Sequence, residues 1–204
     1  MQSTINNVVI ALMDIIESRN KTADGHTEHT MKCVRIITEA MLKQGVYSAE
    51  LHQIDLDMFC FSASLHDIGK IAVSDHILNK PDRLTEDEFE IMRSHTIQGE
   101  LIIDRLMAKS DKNDEFLKNA KLFAGYHHER WDGKGYPRRL SRLNIPIQGR
   151  ILQIVDVYDA LVCERPYKKP FSHEEAVKIV MDSTGEMFDP LIADIFLEVN
   201  KQFL

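Results

Sequence analysis

GRILQIVDVYDAL, residues 149–161, sets a carboxylate inside an apolar run: Asp156 is flanked by Ile151, Leu152, Ile154, Val155 and Val157. An unpaired buried charge is very costly, so a carboxylate in that setting calls for a cation. The stretch reads as a helix, and the rest of the chain reads as helix after helix around it. Ser3-Thr4 is expected to cap a segment whose Ile5, Val8, Val9, Leu12, Ile15 and Ile16 keep three-and-four spacing. A polar break at 19–25 precedes a helix from about His29 to Gln44, stopped by Gly45. The next is expected from about Ala49 to Leu65. Thr85 and Glu88 form a capping box for a helix reaching about Lys109, and after the polar turn at 110–114 another runs to about His128. A Gly/Pro-rich loop fills 132–149. Helices are expected at about 149–163, 172–183 and 189–201, the last opened by Asp189-Pro190. Nothing alternates with period two long enough for a strand, no repeat is present, and no Gly/Ser linker divides the chain. The expectation is an all-α protein, a single helical bundle, with residues 1–25 as lead-in helix and linker and 26–204 as the main domain.

With 204 residues, 44% of them hydrophobic and 28% charged, the chain has the profile of an ordinary globular domain. A net charge of −7 argues against broad binding to nucleic acid polymers or anionic membrane. No apolar run is long enough for a transmembrane helix, and the N-terminus lacks a signal-peptide pattern. The three cysteines, Cys33, Cys60 and Cys163, are widely spaced among apolar neighbours and read as buried thiols of a reducing cytoplasm.

His29, His66-Asp67, His95 and His127-His128 join Asp156 as candidate metal ligands. Each alone has a plainer reading as a core or surface side chain. Their weight comes from their places at helix ends and faces able to converge, which is where bundles build metal sites. The set exceeds one ion's needs and suits two, with Asp67 bridging them while His66 binds one. Nitrogen and oxygen donors without thiolate favour iron, manganese or similar ions over structural zinc. Paired ions about 3.5–4 Å apart suit phosphoester hydrolysis.

LHDIGKI (65–71), SDHILNKPDRLT (74–85), His95, HHERWDGKGYP (127–137) and the run GRILQIVDVYDALVCERPYKKP (149–170) closely resemble, in order and register, the HD-GYP family of the HD phosphohydrolase superfamily. The resemblance extends over about residues 29–198. It implies an all-helical fold and hydrolysis of cyclic di-GMP to linear pGpG, and on to GMP, by a metal-activated hydroxide at a two-metal site. By position, His29, His66, Asp67 and Asp156 would hold one divalent ion and Asp67, His95, His127 and His128 the other, with iron or manganese expected. Asp67 and Lys70 are the expected catalytic residues, Lys70 stabilising charge at the scissile phosphate and delivering a proton to the leaving oxygen. Arg165 and Lys168 are expected on phosphate and guanine. Tyr136, in the loop near the substrate entrance, is expected in recognition, while Trp131 anchors that turn to the core and Gly133 and Gly135 permit unusual backbone angles.

HTMKC from 29 fits the family's usual continuation better than HTEHT from 26, so His29 is the expected first ligand, with His26 the alternative on the same face. A third metal found in some members requires a Glu four residues earlier, where this chain has Gly25 (or Thr22), so two ions are expected. Ala72, Ser74, Lys134 and Arg142 depart from the common pattern without removing a ligand. The alternatives are hydrolysis of another cyclic dinucleotide such as cyclic GMP-AMP, or a non-catalytic module that binds nucleotide or partner. Family members use the GYP loop to meet GGDEF-type domains and commonly follow a sensory or receiver domain. A homodimer is expected, because the apolar face of the first helix must be covered.

Overall fold

A computed structural model describes residues 2–19, 25–110, 114–163 and 169–204. Arg165 and Lys168, expected to bind substrate, lie outside the described residues, as does the alternative position Thr22. In chain order the helices are α1 (Gln2–Ser18), α2 (His26–Gln44), α3 (Ser48–Leu51), α4 (Leu56–Ser62), α5 (Asp75–Leu78), α6 (Glu86–Arg93), α7 (His95–Met107), α8 (Glu115–Tyr126), α9 (Ile147–Val162), α10 (His173–Asp182) and α11 (Pro190–Val199). Short 3-10 turns occupy Ala63–Leu65, Ile68–Ala72, Arg142–Asn144 and Asn200–Phe203. Among the described residues no strand forms beyond an isolated bridge between Thr184 and Phe188. No described helix is long and apolar enough to cross a membrane.

The helix that carries Asp156, α9, is the axis of the fold. α9 buries every residue from Ile147 to Val155, as a helix that is apolar on most sides must. Around it pack Cys33, Val34, Ile37 and Met41 of α2, Phe59 of α4, Val180 of α10, and Ile192 and Phe196 of α11. A second cluster joins Met13 and Ile16 of α1 to Leu65, Ile68, Ile103, Leu117, Ala120 and Ala124. α1 therefore packs through Val9, Met13 and Ile16, whereas Val8, Leu12 and Ile15 face outward. Arg19, just past its end, bonds the carbonyls of Ile71 and Val73 and the Asp75 carboxylate, tying α1 to the Ile68–Ala72 turn.

Several ends fall where local chemistry puts them. The Thr85–Glu88 capping box forms, Gly45 closes α2 in the left-handed conformation, and Asp189 caps α11 with Pro190 in its first turn. Others differ. α1 already runs at Gln2, so Ser3-Thr4 lie inside it and not at its cap. The helix expected over 49–65 is two helices and a 3-10 turn, because Asp55 accepts from Met58 N and starts a new helix. The one expected over 85–109 breaks at Ser94, whose N–H is shared among the carbonyls of Glu90, Ile91 and Met92. α2 begins at His26, three residues ahead of expectation, after Gly25 at φ 75°.

Candidate metal centre

His66 and Asp67 sit between two 3-10 turns, where the chain leaves the core and runs beneath α7. Gly69 makes that passage possible: a Cβ there would stand 1.8 Å from His95 O and 2.5 Å from Gly99 N. The close approach sets Asp67 against the start of α7. Its Oδ1 lies 3.4 Å from His95 Nε2 and 3.8 Å from His127 Nε2, and its Oδ2 lies 3.3 Å from His66 Nε2. Lys70, one turn on, bonds the same Oδ2.

Backbone carbonyls fix three of the imidazoles. His66 Nδ1 donates to Ala63 O (2.9 Å), His95 Nδ1 to Met92 O (2.7 Å) and His127 Nδ1 to Phe123 O (2.9 Å). Each ring then presents Nε2 as a bare lone pair. His95 and His127 point these lone pairs at each other across 3.2 Å, and His66 points its own at His26 Nε2 across 3.4 Å. Asp67 Oδ1 is buried with no hydrogen-bond partner among the described residues. Facing lone pairs beside an orphaned carboxylate oxygen are stable only around a cation, so the residues fit metal ions. Among the described residues, two groups have ligand atoms within 4.8 Å of one another: His95, His127 and His128, and His26, His66 and Asp67.

The charges agree. Burial pushes His127, His128 and His95 down from the usual imidazole range, and crowding among the clustered imidazoles pushes His127 and His128 further, which favours in all three the neutral form able to coordinate a metal. Burial alone would raise the Asp67 carboxyl, but Lys70 and then His66 hold it well below the usual range. It is the ionised hub of the site.

His26, not His29, occupies the place beside His66. His29 turns its Nε2 to Phe203 O (3.2 Å) and its Nδ1 to Asp159 (2.7 Å), away from both ligand groups. The geometry thus groups the alternative, His26, with His66 and Asp67 and leaves the expected His29 outside. The two positions share a helix face, and the C-terminal carbonyl that captures His29 is remote in sequence. Asp156 lies at the edge, its Oδ2 3.9 Å from His128 Nδ1, and stands in neither ligand group.

The loop after His128 is built around Glu129, which is buried and accepts from Arg138 N (2.7 Å) and Leu140 N (2.9 Å). Trp131 is only half-buried, and its stretch is anchored by backbone bonds from Trp131 N to Met187 O and Asp132 N to Glu186 O. Gly133 has φ 79°, but Gly135 is needed for space, since a Cβ would stand 2.3 Å from Arg130 N. Tyr136 lies over His128, ring centroids 4.7 Å apart, with Phe89 and Arg93 beyond it. Lys134 is exposed, 3.6 Å from Asp132. Sequence reasoning missed Asp159 and Glu129. Asp159 had a signal: it stands three residues after Asp156, on one face of α9.

The HD domain family model matches residues 11–192. A probable cyclic di-GMP phosphodiesterase of Vibrio cholerae is 39% identical over 197 residues, covering 97% of this chain and 45% of that protein. A cyclic di-GMP phosphodiesterase of Thermotoga maritima is 38% identical, covering 95% and 49%. The 3'3'-cGAMP-specific phosphodiesterase 2 of Vibrio cholerae is 33% identical, covering 100% and 36%. A solved Vibrio cholerae structure of a cyclic GMP-AMP specific phosphodiesterase shares the fold with a TM-score of 0.61 at 18% identity, covering 97% of this chain and 49% of that chain. The chain spans less than half the length of these curated relatives.

Proposed function

The chain belongs to the HD domain family, and we propose that it is a metal-dependent phosphodiesterase that opens cyclic di-GMP to linear pGpG, and onward to GMP. One observation carries the proposal: two histidine-rich groups meet at Asp67, whose buried Oδ1 lacks a protein partner among the described residues. We assign one divalent ion to His26, His66, Asp67 and Asp156 and the other to Asp67, His95, His127 and His128, with iron or manganese suited to this donor set. Such ions supply Lewis-acid activation of water and neutralise charge on a phosphodiester.

The protein's own side chains would do the rest. Lys70, held beside Asp67, places an ammonium where negative charge builds on the phosphate and is positioned to give a proton to the leaving oxygen. Tyr136, lying over His128, offers a flat apolar face to a base at the mouth of the site. Arg165 and Lys168 complete the proposed phosphate and guanine contacts. Relatives specific for cyclic GMP-AMP support a second substrate reading, since the residues assigned to the ions do not read the bases. The free cysteines support a reducing cytoplasm as the proposed compartment. The outward stripe of Val8, Leu12 and Ile15 supports a homodimer through α1. A GGDEF-type partner at the GYP loop and an upstream sensory or receiver domain belong to the same proposal.

The test is turnover by protein loaded anaerobically with Fe(II) or Mn(II), offered cyclic di-GMP and cyclic GMP-AMP separately and followed by mass spectrometry. Linear dinucleotide from cyclic di-GMP is expected. Binding of both nucleotides without cleavage of either refutes the enzyme reading, and faster cleavage of cyclic GMP-AMP reassigns the substrate.

A further inference from the structure

Asp159 and His29 belong to neither group of metal ligands, yet both are built into the wall behind His26. Asp159 is 5% exposed. Each of its oxygens meets one imidazole: Oδ2 lies 2.5 Å from His26 Nδ1 and Oδ1 lies 2.7 Å from His29 Nδ1. The other nitrogen of His29 lies 3.2 Å from the carbonyl oxygen of Phe203. That carbonyl is fixed in turn, because the Phe203 ring is buried edge-on against Tyr158 and Phe196.

An ionised carboxylate and a carbonyl both only accept hydrogen bonds, so His29 satisfies the two together only with a proton on each ring nitrogen. It is then a fixed imidazolium. The carboxylate first, and the Cys33 sulfur after it, raise the His29 pKa to about 10, in keeping with that geometry. Asp159 has its second oxygen left for His26 Nδ1–H, which leaves His26 Nε2 a bare lone pair aimed toward His66. Histidine ligands are characteristically held by a carboxylate on the far nitrogen, which sets tautomer and ring angle.

We propose that Asp159 and His29 are the positioning pair for one half of the metal centre: Asp159 fixes the tautomer and aim of His26, and His29, pinned to the C-terminal turn, holds Asp159 and balances its charge. The inference rests on the two-ion reading of the site. It makes the packing of the Asn200–Phe203 turn part of the metal site's precision, although nothing in that turn reaches an ion.

Anaerobic titration of the metal-free protein with Mn(II), counting bound ions by electron paramagnetic resonance and elemental analysis, tests it. Wild type should bind two ions. Asp159→Asn and His29→Gln should keep the ion at His95, His127 and His128 with wild-type affinity and bind the other about 10–100-fold more weakly. His29→Lys, which restores a cation with several donors, should recover much of that loss. Retention of both ions at full affinity overturns the proposal. So does equal weakening of both with native helicity by circular dichroism, or a His29→Lys protein no better than His29→Gln. If Asp159→Asn does not fold, the two His29 variants decide alone. A wild type that binds no Mn(II) removes the metal centre itself, which is a separate failure.

Discussion

Replacing Gly69 by alanine adds one methyl group at the tightest approach in the site. The new carbon would lie 1.8 Å from His95 O, 2.5 Å from Gly99 N and 2.8 Å from His95 C, all backbone atoms of α7 that no rotamer change can move aside. Contacts under 3.0 Å are not tolerated by real side-chain carbons, so the Ile68–Ala72 turn and α7 must separate by about 1 Å. Overpacking of this kind costs roughly 1–3 kcal/mol. For a chain of this size that is a fall in Tm of about 2–4 °C per kcal/mol. The functional loss should be larger than the stability loss. Asp67 and Lys70 ride on the displaced side and His95 on the other, and a misplacement of about 1 Å in a catalytic constellation costs on the order of 100-fold in rate. Thermal melting by circular dichroism, Mn(II) affinity and kcat on the same preparations separate the two effects. A Gly69→Ala protein with wild-type kcat and metal affinity would refute the claim that this contact sets the distance between the two halves.

Lys70→Met should leave both ions bound while turnover falls about 10²–10³-fold, the cost of one charge-stabilising donor; an unchanged rate removes Lys70 from the reaction. Glu129→Gln turns an amide N–H toward one of the backbone donors at Arg138 and Leu140, and should cost about 1–3 kcal/mol, read as a lower Tm and earlier proteolysis within 132–146. The His29–Asp159 pair carries a pH signature. Because the folded-state pKa of His29 is raised to about 10, its contribution to stability is complete below about pH 6.5 and fades as pH rises through about 10. The Tm gap between metal-free wild type and His29→Gln should therefore be widest in mild acid and close at high pH. A gap that grows with pH contradicts the assignment.

The bundle was legible because its determinants are local. The Thr85–Glu88 box, Gly45 after α2, Asp189-Pro190 before α11 and the largely apolar run of α9 each carry their own signal. The breaks were not. The restart at Asp55 and the interruption at Ser94 lie inside periodic stretches, and the bend at 63–72 answers to α7 packing on Gly69, a contact invisible in spacing. The two groups of ligand-capable side chains gather His66, Asp67, His95, His127 and His128 as the motifs led one to expect, with His26 in place of His29 and Asp156 outside both. His26 and His29 stand on one face, and the choice between them is made by Asp159 and by Phe203 O, both more than a hundred residues away. Local sequence carries no trace of that competition.

Anomalous diffraction from crystals grown with Mn(II), measured on either side of the manganese edge, locates bound ions without reference to activity. Two peaks about 3.5–4 Å apart are predicted, with Asp67 between them, His26 and His66 on one ion, and His95, His127 and His128 on the other. A single peak, or His29 coordinated in place of His26, would contradict the account.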